Sequence, residues 1–169
     1  KKYKEELLDV AVPARRAKDT LNILVMNVEA LSTSKGAGAA VRFLELNPKS
    51  IMVVDESTTI KNRKATRTKT VLRCGEKAKY RRILTGSPVT KSPMDLYTQC
   101  GFLSLDALNF RSYFSFQARY AVMRHRTMGV KNFQEIVSFQ RLDELSEKLD
   151  KFATRVLKEE CLDLPAKVY

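Results

Sequence analysis

The sequence predicts an α/β domain, a parallel sheet flanked by helices, with an all-helical extension after it. Three observations carry that expectation. Short apolar runs recur without polar alternation, helical patterns separate them, and the pattern turns wholly helical beyond Pro88. Unalternated runs of about four to eight apolar residues suit strands covered on both faces, as in a parallel sheet. Strand, helix, strand, helix, strand is the order of an α/β layered domain.

"LNILVMNV" (21–28) is the first strand, "SIMVV" (50–54) the second and "RRILTG" (81–86) the third. Between them, "AGAAVRFLELN" (37–47) reads as a helix ending near Pro48, and "ATRTKTVLRCGEKAKY" (65–80) as one broken near Gly75. "SPMDLYTQCGFL" (92–103) is a helix with Ser92 as cap and Pro93 in its first turn. The aromatic-rich stretch 105–122 follows, its Phe110, Tyr113, Phe114, Phe116 and Tyr120 read as helix packing. Asn132 and Glu135 have capping-box spacing, and Leu142, Leu145, Leu149 and Phe152 recur at helical steps.

At 169 residues the chain is long enough to bury a core, and its formal charge of +12 favours polyanionic partners. No apolar run approaches the roughly 18–20 residues of a membrane span, and "KKYKEELLDV" has no apolar signal core. The expectation is a cytoplasmic, non-secreted protein with no membrane partner. Cys74, Cys100 and Cys161 are too widely spaced for a metal knuckle and read as reduced thiols. His125 is the single histidine, which excludes a histidine-cluster zinc site, and it reads as a solvated surface residue.

The chemistry concentrates in "IMVVDESTTIKN" (51–62), where an apolar strand runs straight into Asp55 and Glu56. Adjacent carboxylates repel, so the pair implies either a bound cation or a solvated turn. A parallel strand delivers such residues to the carboxyl edge of its sheet, where ligands of open α/β folds collect. The third strand ends in Thr85, Gly86, Ser87 and Pro88, small and hydroxyl residues suited to close approach and hydrogen bonding, with Glu56 as one candidate neighbour.

"VVDESTTIKN" followed by "RRILTGSPVTKSPMDLY" resembles motifs II and III of superfamily-two helicases, Swi/Snf-type DNA translocases above all, with Ile60-Lys61-Asn62 typical of that family. "NILVMNVEALS" (22–32) resembles the family's Ib strand and turn, with Glu29 near its end. "LDALNFRSYF" (105–114) resembles its helical insertion, and "FATRVLKEECLDLPAKVY" (152–169) its closing segment, with Arg155 and Lys158 ahead of Leu164-Pro165-x-Lys167. The likeness covers residues 20–169.

The resemblance implies a partial RecA-like ATPase lobe over 1–91 and a helical extension over 92–169. It implies that, in the intact enzyme, Asp55 anchors Mg2+ through water, Glu56 activates the attacking water, and Thr85, Gly86 and Ser87 couple nucleotide state to DNA contacts. The sequence departs from the family in three places. Ser57 and Thr58 stand where a small residue and His are usual, so the coupling runs through a hydroxyl or is altered. Thr-Gly-Ser-Pro replaces Thr-Gly-Thr-Pro, and "VTKSP" (89–93) is closer to phage and bacterial members, which suggests a bacterial or phage-infected cell.

The chain has no Gly-x-x-x-x-Gly-Lys-Ser/Thr phosphate loop (Walker A), and "TSKGAGAAV" (33–41) reads as a turn into a helix. In the family that loop precedes the matching segment, and the second lobe with its arginine finger follows it. The expectation is therefore a fragment of a motor. By itself it holds no Mg2+ or ATP tightly and is not an ATPase, and its partner is the remainder of the helicase core. The absent neighbour strand leaves "RRILTG" as an open edge that invites self-association.

From 61 to 82 the chain carries Lys61, Arg63, Lys64, Arg67, Lys69, Arg73, Lys77, Lys79, Arg81 and Arg82 against Glu76 alone, ten minus one, or +9. With no aromatic interleaved except Tyr80, sequence-neutral contact with DNA phosphates is the expected mode, a solvated basic face being the other reading. Lys35 joins Lys61, Arg63, Lys64, Arg67 and Lys69 as a candidate nucleic-acid contact through its position beside the Ib turn. The competing function is a non-catalytic, basic DNA-binding module built on a degenerate lobe.

Overall fold

The computed structural model describes residues 21–128 and 131–156. They belong to two compact units that divide after Gln117. The predicted closing motif from Lys158 to Lys167 lies outside the described residues.

The first unit opens with a 3-10 turn, Val28–Ser32, whose cap Asn27 accepts the Glu29 amide through its side chain at 3.0 Å. Thr33 then caps helix α1 (Ser34–Leu46): its hydroxyl oxygen accepts the Gly36 amide at 3.1 Å and its hydroxyl donates to the Ala30 carbonyl at 2.8 Å. Gly36 is required here, because a Cβ would sit 2.1 Å from the Ala30 oxygen. Asn47 ends the helix, donating its side-chain amide to the Phe43 carbonyl at 2.6 Å ahead of Pro48.

Strand β1 (Ile51–Val54) pairs in parallel with β2 (Tyr80–Ile83), from Ile51 opposite Tyr80 to Val54 opposite Ile83. Helix α2 (Thr66–Lys77) makes the crossover that parallel pairing demands. It runs through Gly75 instead of breaking there. Gly75 serves packing: a Cβ at this position would lie 2.8 Å from a Phe102 ring carbon. Phe102 belongs to α3 (Asp95–Leu103), whose entry is organised by Ser92, the hydroxyl of which accepts the Met94 amide at 3.1 Å.

The core gathers Leu31, Leu44, Val54, Ile60, Val71, Cys74 and Phe102 between the turn, the helices and one sheet face. Fully burying side chains such as Ile60, Val71 and Phe102 contributes about 1.5–3 kcal/mol each. The opposite face is bare: Ile51, Val53, Tyr80 and Leu84 are all at least half exposed. The expectation of strands covered on both faces is thus corrected, because among the described residues only one layer packs against this sheet. The first predicted strand is corrected too. Residues 21–27 form no ladder, and Leu21, Ile23 and Val25 are exposed in alternation with half-buried neighbours, the pattern of an extended chain with no strand beside it.

Helix α4 (Tyr113–Tyr120) begins in this unit and ends in the second. The aromatic cluster is packing at its centre, where Phe116 is buried with Tyr97 5.5 Å and Phe110 5.3 Å from it, ring centre to ring centre, whereas Phe114 is exposed.

The second unit corrects the all-helical extension. After α4, β3 (Ala121–Met128) and β4 (Lys131–Phe139) form an antiparallel hairpin with a bulge between Val122 and Met123, and α5 (Leu142–Asp150) follows. The Asn132–Glu135 spacing that fits a capping box fits a strand equally well, and cross-strand partners decide it. Thr127 donates to Asn132 at 2.8 Å, and Arg126 pairs with Glu135 at 2.8 Å. His125 is exposed, as expected, facing Gln134 at 3.2 Å. Among the described residues the fold is mixed α/β, with a small parallel sheet and five α-helices, consistent with a partial RecA-like lobe. No helix among the described residues is long and apolar enough to cross a membrane.

Candidate functional site

Strand β1 ends at Val54 and delivers Asp55 and Glu56 to its carboxyl edge, both exposed. Glu56 adopts the left-handed region, φ 48° and ψ 58°, and its amide donates to the Asp55 carboxylate at 2.9 Å. For a residue with a Cβ this conformation costs about 1–2 kcal/mol. A 3-10 turn, Ser57–Ile60, follows with Ser57 and Ile60 fully buried, so the strained residue sits between two fixed segments.

The end of β2 lies directly alongside. The Ser57 amide donates to the Leu84 carbonyl at 3.0 Å, and the Leu84 amide to the Val54 carbonyl at 2.9 Å. The acidic turn and the Thr85-Gly86-Ser87 loop are therefore neighbours. That loop is held largely by its own bonds: the Ser87 amide reaches the Thr85 hydroxyl at 3.2 Å, and the Ser87 hydroxyl donates to the Val89 carbonyl at 3.1 Å. No hydrogen bond joins Thr85 or Ser87 to Glu56 among the described residues. Gly86 stands in open space, where a Cβ would touch nothing.

The link between the two segments is a residue that sequence reasoning missed. Gln99 on α3 is completely buried; its carbonyl oxygen accepts the Ser57 hydroxyl at 2.6 Å, and its amide donates to Pro88 O at 2.7 Å and Asp95 O at 2.9 Å. The available signal was its spacing: Gln99 falls three residues from both Leu96 and Phe102, on the buried face of α3. An amide on such a face needs partners.

A second tie runs parallel. Lys61 donates to the Thr90 hydroxyl and lies 3.9 Å from Asp95, which in turn accepts the Thr90 hydroxyl at 2.9 Å. Asp95 occupies the first turn of α3, where a carboxylate suits the helix dipole.

Two other predicted basic contacts are also engaged within the fold. Arg67 donates to the Thr59 carbonyl at 3.0 Å and to the Glu29 carboxylate. The Arg63 guanidinium lies over two rings, 4.3 Å from the centre of Tyr113 and 5.4 Å from that of Phe114. Lys35, Lys64 and Lys69 are exposed and have no ion pair among the described residues.

No group of three or more His, Cys, Asp or Glu side chains converges among the described residues. Two adjacent exposed carboxylates suit Mg2+, which takes one or two protein carboxylates and keeps several waters, rather than a fully caged metal. The thiols do not contribute: Cys74 and Cys100 are buried and free, with Cys100 pushed up to about 12 by burial.

An open parallel edge with paired acids, tied through a buried amide to a hydroxyl-rich loop, defines an α/β lobe of the helicase-related type. The SNF2-related domain family matches residues 11–168, and the chain belongs to it. It is similar to the DNA annealing helicase and endonuclease ZRANB3 of Bos taurus, 32% identical over 122 residues, 70% of this chain and 11% of that protein. The Homo sapiens protein of the same name matches to the same extent, 32% over 122 residues. The Drosophila melanogaster SWI/SNF-related matrix-associated actin-dependent regulator of chromatin subfamily A-like protein 1 is 35% identical over 78 residues, 46% of this chain and 10% of that one. The chain thus spans about a tenth of the length of the curated relatives it matches. These relatives are animal proteins and lend no support to the phage or bacterial setting suggested by 89–93. No solved structure matches the chain.

Proposed function

We propose that the chain is part of the motor of a Swi/Snf-like DNA translocase, which in the intact protein couples Mg-ATP hydrolysis to movement on duplex DNA. One observation carries the reading: the acidic pair at the exposed end of β1 is a single backbone hydrogen bond away from the loop that ends β2. Asp55 would hold Mg2+, which when bound would supply charge neutralisation at the phosphates. Glu56 accepts the proton of the attacking water. Thr85, Gly86 and Ser87 sense the nucleotide and pass its state toward the DNA. The chain contains no phosphate-loop sequence, so triphosphate binding belongs to the intact protein and the 169-residue chain alone turns over no ATP.

The name of the ZRANB3 relatives, a DNA annealing helicase and endonuclease, supports DNA as the partner. Of the predicted contacts, Lys35, Lys64 and Lys69 are the ones left available for its phosphates, in sequence-neutral and salt-dependent contact.

The test is ATP turnover by the intact protein with and without duplex DNA. Glu56→Gln and Asp55→Ala are expected to abolish turnover while DNA affinity stays within about twofold, since neither touches a phosphate-binding lysine. Turnover and affinity unchanged in both variants would favour the other reading, a non-catalytic basic DNA-binding module.

A further inference from the structure

We propose that Gln99 is the positioning residue that transmits movement of the acidic turn to the loop after β2, through Ser57 on one side and Pro88 on the other. The inference rests on the motor reading above. The side chain is wholly enclosed, and its hydrogen-bonding capacity is divided between the two segments. Its orientation is fixed by chemistry: rotating the amide by half a turn would set its oxygen against the Pro88 and Asp95 carbonyls, acceptor against acceptor. Gln99 is therefore a rigid spacer with one end on each motif.

The turn at its Ser57 end is the strained one. Glu56 is held in the left-handed region directly before Ser57, so relaxation of Glu56 shifts the Ser57 hydroxyl and pulls on the amide. Pro88 closes the Thr-Gly-Ser-Pro loop and would follow. Thr58, which stands at the position of the family's usual His, makes no side-chain hydrogen bond among the described residues, so the hydroxyl route runs through Ser57. Leu or Met would fill the same space on α3 without a buried amide. The polar choice is explained by the tie it makes.

The experiment uses the intact protein with Gln99→Met, Ser57→Ala, the double variant and Ser57→Thr. In Gln99→Met and Ser57→Ala, the DNA-stimulated kcat is expected to fall about tenfold with KM for ATP within about threefold, as a coupling interaction would. The double variant loses no more than either single one, and Ser57→Thr, which keeps the hydroxyl, retains stimulation. Hydrogen exchange supplies a readout independent of turnover. A non-hydrolysable ATP analogue changes protection of both 55–60 and 85–90 in the wild type, but only of 55–60 in Gln99→Met. Should Gln99→Met fold poorly, Ser57→Ala removes the same bond from the other side. Wild-type turnover with undiminished stimulation in Gln99→Met and Ser57→Ala, or losses that multiply in the double variant, overturns this inference alone. A wild-type protein with no DNA-stimulated turnover overturns the motor reading and this inference with it.

Discussion

The amide of Glu56 hydrogen-bonds the side chain of Asp55 at 2.9 Å, and Glu56 itself holds a left-handed backbone. The acid that the family resemblance assigns to water activation is thus also a point of local strain. Asn occupies this region more readily than Glu or Gln. Glu56→Asn is expected to be more stable than Glu56→Gln by about 0.5–1 kcal/mol in urea denaturation, both variants having lost the carboxylate. Equal midpoints would show that the turn is relaxed.

Gly75 lies under the Phe102 ring, with space for a hydrogen and none for a methyl. Alanine would gain about 1 kcal/mol of helix propensity but overpack the core at a cost of about 1–3 kcal/mol. Gly75→Ala is therefore expected to lower the melting temperature. Phe102→Leu in the same chain should recover part of the loss, which a difference in propensity alone could not produce.

The basic residues divide into two groups with different predicted phenotypes. If Lys64 and Lys69 each meet a phosphate as proposed, replacing both by Ala should reduce the slope of log affinity against log salt by about 1.8, with stability unchanged. Arg67→Ala breaks bonds to Thr59 and Glu29, and Arg63→Ala uncovers Tyr113 and Phe114. Both arginine variants should lower thermal stability more than they change the salt slope.

In the second unit the Arg119 guanidinium, followed by the Tyr120 hydroxyl, holds Glu144 down to about 2, below its ordinary value of 4.5. A carboxylate depressed on folding stabilises the fold above its unfolded pKa and loses that contribution as pH falls through the folded one. Glu144→Gln should therefore lower the melting temperature at neutral pH, and the difference from wild type should shrink from about pH 4.5 and vanish below about pH 2. Tyr120, pushed up to about 12 by burial and by its bond to Glu144, acts at the other extreme. Its contribution is present below its ordinary value of 10 and is lost as pH rises through about 12.

Much of the first unit was legible because its signals are local. Apolar runs marked β1 and β2, Pro48 and Ser92 marked helix boundaries, and the acids after Val54 fell at a strand end. What escaped depends on partners distant in sequence. Residues 21–27 contain an apolar run as long as β1, yet no strand pairs with them among the described residues. The segment from Ala121 to Phe139 was read by helical spacing, whereas its cross-strand pairs make it a hairpin. Gln99 takes its role from Ser57, 42 positions away, whose hydroxyl donates to its oxygen. The stacking of the Arg63 guanidinium over two rings about fifty residues on is likewise invisible in the local sequence.

The bare side that the described residues leave on the β1–β2 sheet is where self-association would act, and it predicts a folding stability that depends on concentration. Ile51, Val53, Tyr80 and Leu84 are at least half exposed among the described residues, and burying them against another copy of the chain is the expected outcome in a purified sample. Association of this kind raises apparent stability by mass action. Dilution should therefore lower the melting temperature of the isolated chain, and sedimentation should show the mass falling in step.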